Sequence, residues 1–363
     1  MAKRGKLNHE ELNRNRRNKM RKWVALVVAS ILMVTTGIAP AFAFVRPGTK
    51  AMGMGGAFTA IADDLTCVFW NPAGLVQTGL FDLDISIAAG GENIENIQNL
   101  YQLYQALEEK NYSAAEELAE KIAPPMGLEP TLSVAIGLAR RFAISGALQA
   151  DFSVETFNLE SSSPNPYVEI EDVETALLPI YLSLAHRVSE NLSLGLNLKY
   201  IQAARHSSHF KIFADGTTET ISEVGGYSEP AISFDIGALY QKEKSPFSWG
   251  IMVENVVEPE LNFPDISGEL SSMRLSRSVN LGISLRPVPF LTLAADAHNL
   301  LTNDTTYHVG AEVDLKLIKL RAGFNNGNLT LGAGLKILIL DLQATYYQKN
   351  NQDPYISLVI FKI

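Results

Sequence analysis

The sequence predicts an all-β protein: a transmembrane antiparallel β-barrel of about fourteen strands, with an N-terminal plug segment and a small helical insert in an external loop. Three observations predict it. Apolar and polar residues alternate with period two along segments of roughly 9–11 residues, the length a tilted strand needs to cross a bilayer. One face of these segments is almost purely aliphatic with Tyr or Phe near its ends, while the other mixes acids, bases, Asn and Gly. Long and short connections alternate along the first eight strands, as expected when external loops are long and periplasmic turns short.

The chain opens with an export signal. Residues 1–22 hold nine Lys/Arg against Glu10 and Glu11, the apolar run "WVALVVASILMVTTGI" follows, and Ala41-Phe42-Ala43 supplies small residues before a cut at Phe44. The run from Trp23 to Ile38 is short for a permanent anchor, which needs roughly 20 residues. Removing 1–43 takes away a surplus of seven positive charges, so the net −9 of the whole chain becomes about −16. An acidic exported chain is a poor partner for nucleic acid. Cys67 is the sole cysteine, so no disulfide framework forms within the chain.

The domain plan is therefore a signal peptide over 1–43, a plug or hatch over 44–79, and a barrel over 80–363 with its helical insert at 92–122. The predicted strands run 80–90, 130–140, 142–153, 177–187, 191–204, 230–241, 246–256, 276–286, 290–299, 306–315, 318–325, 328–337, 339–348 and 354–363. In "LSLGLNLKY", Leu192, Leu194, Leu196, Leu198 and Tyr200 share a face opposite Asn197 and Lys199. "AISFDIGALY", "VNLGISLR", "VGAEVDLK" and "LTLGAGLKI" alternate in the same way. The connections 91–129, 154–176, 205–229 and 257–275 are long and predicted external. After the tenth strand all connections are short, which leaves the register of the last four strands open.

Within 92–122, Ile94, Ile97, Tyr101, Tyr104 and Leu107 recur at helical spacing. Ser113-Ala-Ala-Glu116 has the pattern of a capping box opening a second helix, whose apolar face is Ala115, Leu118, Ala119 and Ile122. The pair either covers the barrel mouth or meets a protein partner. In the last strand, "YISLVIFKI", Tyr355, Val359, Phe361 and Ile363 fall at alternate positions, a pattern that resembles the terminal signal read by the outer-membrane assembly machinery; Ile363 stands where an aromatic residue is usual.

The segment ahead of the first strand, "GMGGAFTAIADDLTCVFWNPAGL", is neither amphipathic helix nor strand. A fourteen-strand barrel leaves internal space that this stretch is placed to fill. Its glycines allow tight turns. Asp63 and Asp64 can accept backbone hydrogen bonds or pair with lumenal Lys199, Arg321 or Lys336, and Phe58, Phe69 and Trp70 give it apolar surface. A phosphate-loop reading of Gly53–Gly56 fails, because no strand precedes it and no Lys-Ser/Thr follows.

These residues carry a family resemblance. Gly55-Gly56-Ala57, the "AIADD" of Ala60–Asp64 and Asn71-Pro72-Ala73 resemble the N-terminal segment of FadL-like outer-membrane proteins, which include fatty acid and aromatic-hydrocarbon transporters and the PorV-like and TraF-like branches. The resemblance implies that the segment plugs the barrel and that hydrophobic ligands leave sideways through its wall. The expected function is a passive outer-membrane channel for hydrophobic small molecules, of long-chain fatty acid or hydrocarbon type. The alternative is a non-transporting barrel that docks proteins in secretion or conjugal transfer. The expected plug and ligand-binding residues are Phe58, Asp63, Asp64, Phe69, Trp70, Asn71 and Pro72. The expected lumenal polar residues are Lys199, Asp235, Asp296, His298, Arg321 and Lys336, with Asp296 and His298 on one strand face as a proton-sensitive or structural pair. Asp151, Asp235, Glu312, Asp314, Lys316, Arg321 and Lys336 suggest a salt-bridged interior ladder. His206-x-x-His209 with Asp215 has ligand-type residues, but the expectation is no metal and no cofactor. No nucleophile–base set is present, so no enzyme is expected. Membrane lipid, the assembly machinery, a hydrophobic ligand and a protein partner at 92–122 complete the expected partners.

Overall fold

The computed structural model describes residues 46–215, 217–243, 245–263, 272–302, 304–348 and 355–363. The proposed signal segment lies outside the described residues. Helix α1 (Thr49–Gly53) and two 3-10 turns, Leu65–Phe69 and Pro72–Gln77, precede β1 (Phe81–Ala89). Strands β2 (Gly91–Glu92) and β3 (Met126–Leu128) bracket α2 (Glu95–Glu108) and α3 (Tyr112–Ala119). Then come β4 (Thr131–Leu138), β5 (Phe142–Glu160), β6 (Tyr167–Arg187), β7 (Leu192–Phe213), β8 (Thr218–Tyr227), β9 (Ala231–Gln241) and β10 (Phe247–Glu254). The chain ends with β11 (Glu260–Asn262), β12 (Ser272–Arg274), β13 (Ser278–Val288), β14 (Leu291–His298), β15 (Thr306–Asp314), β16 (Ile318–Asn325), β17 (Asn328–Ile337), β18 (Leu340–Tyr347) and β19 (Tyr355–Lys362).

Fourteen of these strands form the wall: β1, β4–β7, β9, β10 and β13–β19. Each pairs antiparallel with its neighbour, and β1 closes the barrel by pairing with both β4 and β19. All fourteen predicted strands are present, in order. The period-two pattern works as the physics requires. Leu194, Leu196 and Leu198 point outward at 44, 41 and 47 % exposure, whereas Ser193, Asn197 and Lys199 point inward at 6, 0 and 5 %. Register in the final strands is fixed by the runs Ile318↔Leu335 to Asn325↔Asn328 and Thr330↔Tyr347 to Ile337↔Leu340.

Three readings change. The connections 154–176 and 205–229 are mostly strand, not loop. β5, β6 and β7 are 19, 21 and 22 residues long, so β7 extends about 70 Å at ~3.3 Å per residue, far beyond an apolar band of about 25 Å. Their charged upper halves still alternate, and the turn is confined to the residues between Glu160 and Tyr167. In the insert, α3 is capped by Asn111, whose side chain accepts from the Ala114 N–H at 3.3 Å, rather than by Ser113. The buried stripe of α2 is Leu103, Ala106 and Leu107, while Tyr101 stays exposed. In β19 the pairing with β1 slips between Ser86↔Val359 and Ile85↔Phe361. Tyr355 and Val359, before the slip, are buried; beyond it Phe361 is consequently exposed and Lys362 points into the barrel.

The extended strands carry structure on both faces. On the face continuous with outward Leu178 and Leu182, Val168 and Ile170 pack with Leu103, Leu107, Ala115 and Ile122 of the helices. On the lumenal face, Leu177, Ile201 and Ala203 are covered by Leu261, Phe263 and Met273, which flank or belong to the β11–β12 hairpin. The hairpin thus lays an apolar cap over the far mouth of the barrel.

Candidate functional site

The segment from 46 to 79 sits inside the barrel and is almost entirely buried. Its shape comes from local chemistry. Asp64 accepts from the Thr66 N–H at 3.0 Å and caps the first 3-10 turn. Asn71 accepts from the Ala73 N–H at 3.2 Å, with Pro72 next in line, and caps the second. Gly55 and Gly56 take positive φ, +70° and +85°, to turn the chain after α1. Phe58 meets Trp70 edge-on with ring centroids 6.3 Å apart, and Phe69 meets Tyr181 of the wall in the same way at 5.3 Å. The Trp70 indole donates to the Pro47 carbonyl at 2.7 Å, and Arg46 lies over its ring.

The plug backbone rests directly on the wall, and this determines which wall residues face it. A Cβ at Gly310 would stand 2.2 Å from the Met54 carbonyl oxygen, and one at Gly323 2.6 Å from the Gly55 nitrogen. One at Gly250 would stand 2.2 Å from the Thr59 oxygen, one at Gly282 2.9 Å from the Ala60 nitrogen, and one at Gly195 2.2 Å from the Ala73 nitrogen. These positions face inward near mid-strand and form cross-strand pairs, Gly250 with Gly282 and Gly310 with Gly323. Real side chains there would hold the plug away.

Buried polar side chains of the wall then satisfy the plug's backbone groups, which burial would otherwise leave unpaired. Asp296 Oδ2 accepts from the N–H groups of Phe58 and Thr59 at 2.9 and 2.8 Å, and from His298 Nε2 at 3.2 Å. His308 Nδ1 donates to the Gly55 carbonyl at 2.7 Å, and its Nε2 lies 2.8 Å from the Thr306 hydroxyl. The His298 and His308 rings lie 4.2 Å apart. Asn197 donates to the Val68 carbonyl at 2.9 Å, and Thr345 to the Thr49 carbonyl at 2.7 Å. Asn71 reaches outward too, donating to Ala238 of the wall at 3.0 Å and to Thr59 at 2.9 Å.

Each plug charge meets its opposite. Arg46 pairs with Glu254 at 2.5 Å, Lys50 with Glu312 at 3.0 Å and with Asp63 at 2.9 Å, and Asp64 with Lys362 at 2.8 Å. Asp63 also contacts Arg286 at 3.3 Å. Lys199, instead of reaching the plug carboxylates, pairs with Asp235 at 2.5 Å. Arg321 pairs with Glu312 at 2.6 Å and donates to Gln343 at 3.0 Å. Lys336 is exposed near the end of the barrel where β19 finishes. There it lines a polar cavity of about 220 Å³ with Lys50, Asp63, Asp64, Lys319 and Lys362. The structure brings together Phe58, Asp63, Asp64, Phe69, Trp70, Asn71 and Pro72 in the plug, and Asp296 and His298 against it. The interior charges form two groups rather than one ladder: Lys199 pairs with Asp235, while Arg321, Glu312, Lys50, Asp63 and Arg286 are linked in series. Arg46, Lys50, Asn197, His308, Lys362 and the wall glycines are the contacts that sequence reasoning missed. Glycine recurring mid-strand on the polar face was the available signal.

Burial alone would raise the Asp64 carboxyl, but the charges of Lys362 and Lys50 and the bonds from Lys362 and Thr66 outweigh it and hold the group below the usual carboxylate range. A depressed folded value means that the contact contributes its full stability above the free value near 3.8 and loses it as the pH falls through the folded one. Amide exchange of residues 64–70 is therefore expected to match at pH 7 and pH 5 once corrected for intrinsic rates, and to accelerate only in stronger acid. Acceleration already at pH 5 would contradict this pairing.

The family model "Outer membrane protein transport protein (OMPP1/FadL/TodX)" matches residues 32–261, more than half of the chain. No curated individual protein matches it in sequence. Among solved structures, the Ralstonia pickettii toluene transporter TbuX superposes with a TM-score of 0.54 at 11 % identity, covering 89 % of this chain and 99 % of that one. The monoaromatic hydrocarbon channel CymD gives 0.50 at 14 % identity, covering 89 % and 97 %. The deltaS2S3 mutant of the monoaromatic hydrocarbon channel TodX gives 0.53 at 12 % identity, covering 87 % and 97 %. At these identities the structures speak for the shared barrel fold, and the family match carries the assignment: the chain belongs to the OMPP1/FadL/TodX family of outer-membrane transport proteins.

Proposed function

We propose that this protein is a passive channel through which hydrophobic small molecules of hydrocarbon or fatty acid type enter across the outer membrane. The observation that carries the reading is the plug: an apolar-cored segment, with Phe58, Phe69 and Trp70 inside, clamped in a fourteen-strand barrel of a transport family. A water-filled pore needs no such stopper. Solved proteins of the same fold include a toluene transporter and a monoaromatic hydrocarbon channel, which sets the first substrates to try. The apolar cap of Leu261, Phe263 and Met273 over the far mouth offers such a molecule a first surface. The pairing of β18 with β19 runs only over Ala344–Tyr347 among the described pairings, while β18 keeps its bonds to β17 along its whole length. That thinner seam is the wall position we assign to sideways exit.

The reading includes no catalytic step, and it takes residues 1–43 as a cleaved export signal. The apolar faces of α2 and α3 are spent on the chain's own sheet, so the insert is read as a brace for the extension rather than as a protein-docking arm. The test is uptake of labelled toluene and of oleate by an outer-membrane-permeability-limited strain expressing the chain, beside a strain expressing a deletion of 53–75. Uptake that depends on the intact chain, with loss of selectivity against a small hydrophilic solute in the deletion, is expected. Uptake equal to that of the empty strain rejects the function.

A further inference from the structure

We propose that the external extension carries a divalent-cation site built from His206, Glu174 and Asp172, suited to a transition-series ion such as Zn²⁺ rather than to Ca²⁺. The site arises from strand register. β6 and β7 pair without interruption from Tyr167↔Phe213 to Arg187↔Ser193, which sets Glu174 opposite His206 and Asp172 opposite Ser208. The period of two puts all four on one face, the face of outward Leu178 and Tyr200, several residues beyond the lipid-facing band. His209, three residues on, falls on the other face with Glu169 and Lys211, so the sequence pair His206-x-x-His209 cannot share an ion.

The ligand atoms of Asp172, Glu174 and His206 lie within 4.8 Å of one another. The two nitrogens of His206 have different surroundings. Nε2 is 2.9 Å from Glu223 Oε1 on β8, a hydrogen bond that places the proton on Nε2. The lone pair of Nδ1 is then left facing Glu174 Oε2 at 4.0 Å. That distance is too long for a hydrogen bond. Two ligand atoms on a tetrahedral ion with bonds of about 2.0–2.2 Å stand about 3.3–3.6 Å apart, so a side-chain adjustment of about half an ångström brings this pair onto one ion. Asp172 completes the set and is oriented by the Ser208 hydroxyl. A carboxylate on the far nitrogen of a metal-binding imidazole is the usual way of fixing its tautomer and raising its basicity, and Glu223 occupies that position.

Charge points the same way. With the imidazole neutral, three carboxylates gather here. The cationic residues at neighbouring positions of β7, Arg205 and Lys211, fall on the opposite face. The His206 and Glu174 side chains are only 24 and 27 % exposed, so solvent screens the repulsion incompletely. A cavity of about 400 Å³ bounded by Ala204, His206, Glu223, Gly225, Gly226 and Tyr227 opens on the Glu223 side of His206. Gly225 keeps that side open, since a Cβ there would stand 2.7 Å from the His206 ring. One nitrogen with carboxylate oxygens suits Zn²⁺ or Mn²⁺, whereas an all-oxygen set suits Ca²⁺. An ion bridging β6 and β7, with β8 held through Glu223, would tie the three strands of the extension together.

The test is calorimetric titration of the full mature chain in detergent micelles, purified without a polyhistidine tag, with Zn²⁺, Mn²⁺ and Ca²⁺ in turn. One saturable Zn²⁺ per chain is expected, with Ca²⁺ at least about tenfold weaker. H206A and E174Q are each expected to weaken Zn²⁺ by at least about tenfold, since loss of even an outer partner of a metal ligand costs ~10–100-fold. H209A should bind as the parent does. Thermal unfolding without metal confirms that each variant is folded. Absence of saturable binding, binding indifferent to H206A, or equal loss in H209A overturns the site.

Discussion

Valine at Gly250 is expected to unseat the plug and open the barrel to small hydrophilic solutes. The added Cβ would stand 2.2 Å from the Thr59 carbonyl oxygen, 2.8 Å from its carbon and 3.0 Å from Asn71 Nδ2. Two of these atoms are plug backbone, which has no rotamer with which to yield. The third belongs to the amide that donates to Thr59 and to Ala238, so the clash also breaks the bonds tying the second 3-10 turn to the wall. Overpacking of this kind costs about 1–3 kcal/mol, and each net hydrogen bond lost adds about 1 kcal/mol. Together about 3–5 kcal/mol falls on one face of the plug, while the outward, lipid-facing half of β10 is untouched. The barrel should therefore form and the plug should not seat. Conductance in planar bilayers is expected to rise above the parent, with a lower midpoint of thermal unfolding. G146A is the comparison, because a Cβ there meets nothing closer than 3.5 Å. If G250V conducted and melted as the parent does, the plug backbone would not rest on the wall at this point.

The contrast between those two glycines marks what a reader of the chain could see. The strands were legible because the lipid face and the lumenal face demand different chemistry at every second residue, and Leu192–Tyr200 carries that demand without exception. The plug was legible as a segment with no periodicity ahead of the first strand, and its local caps, Asp64 and Asn71, are ordinary turn chemistry. Its partners were not legible. Lys362 meets Asp64 only because a slip between Ser86 and Ile85 turns the end of β19 inward, and a slip of one residue reverses every side chain beyond it. Lys199 and Arg321 are taken by Asp235 and Glu312 on neighbouring strands rather than by Asp63 or Asp64, and Lys336 is exposed. The extension of β5 to β7 was missed because its alternation is between charged and apolar residues near a Ser/Pro/Asn-rich turn, a composition that also describes a solvated loop. Mid-strand glycine on a polar face has a meaning only once something is known to press on it.

Removing the carboxylate of Asp296 is expected to loosen the plug at its centre rather than at its edge. A single oxygen of this buried side chain accepts the N–H groups of two consecutive plug residues, Phe58 and Thr59, at 2.9 and 2.8 Å. Both donors are sealed from water, as both residues are fully buried. In D296A neither has a replacement acceptor, and an orphaned buried donor costs about 1–3 kcal/mol, so the plug loses about 2–6 kcal/mol of anchoring. D296N distinguishes the missing acceptor from the missing charge. Its amide oxygen can still receive both N–H groups, and the loss shrinks to the difference between charged and neutral acceptors, about 1 kcal/mol for each bond. Amide exchange at Phe58 and Thr59 should therefore accelerate strongly in D296A and modestly in D296N, with exchange in β6 and β7 unchanged in both. Leakage of a hydrophilic solute through reconstituted barrels should follow the same order. Because Phe58 packs against Trp70 and Trp70 lies beside His298, release at this one oxygen should also redden the tryptophan emission as water reaches the ring. Equal protection in D296A and the parent would mean that the glycine contacts alone seat the plug, and the buried carboxylate would then need another role to justify its place.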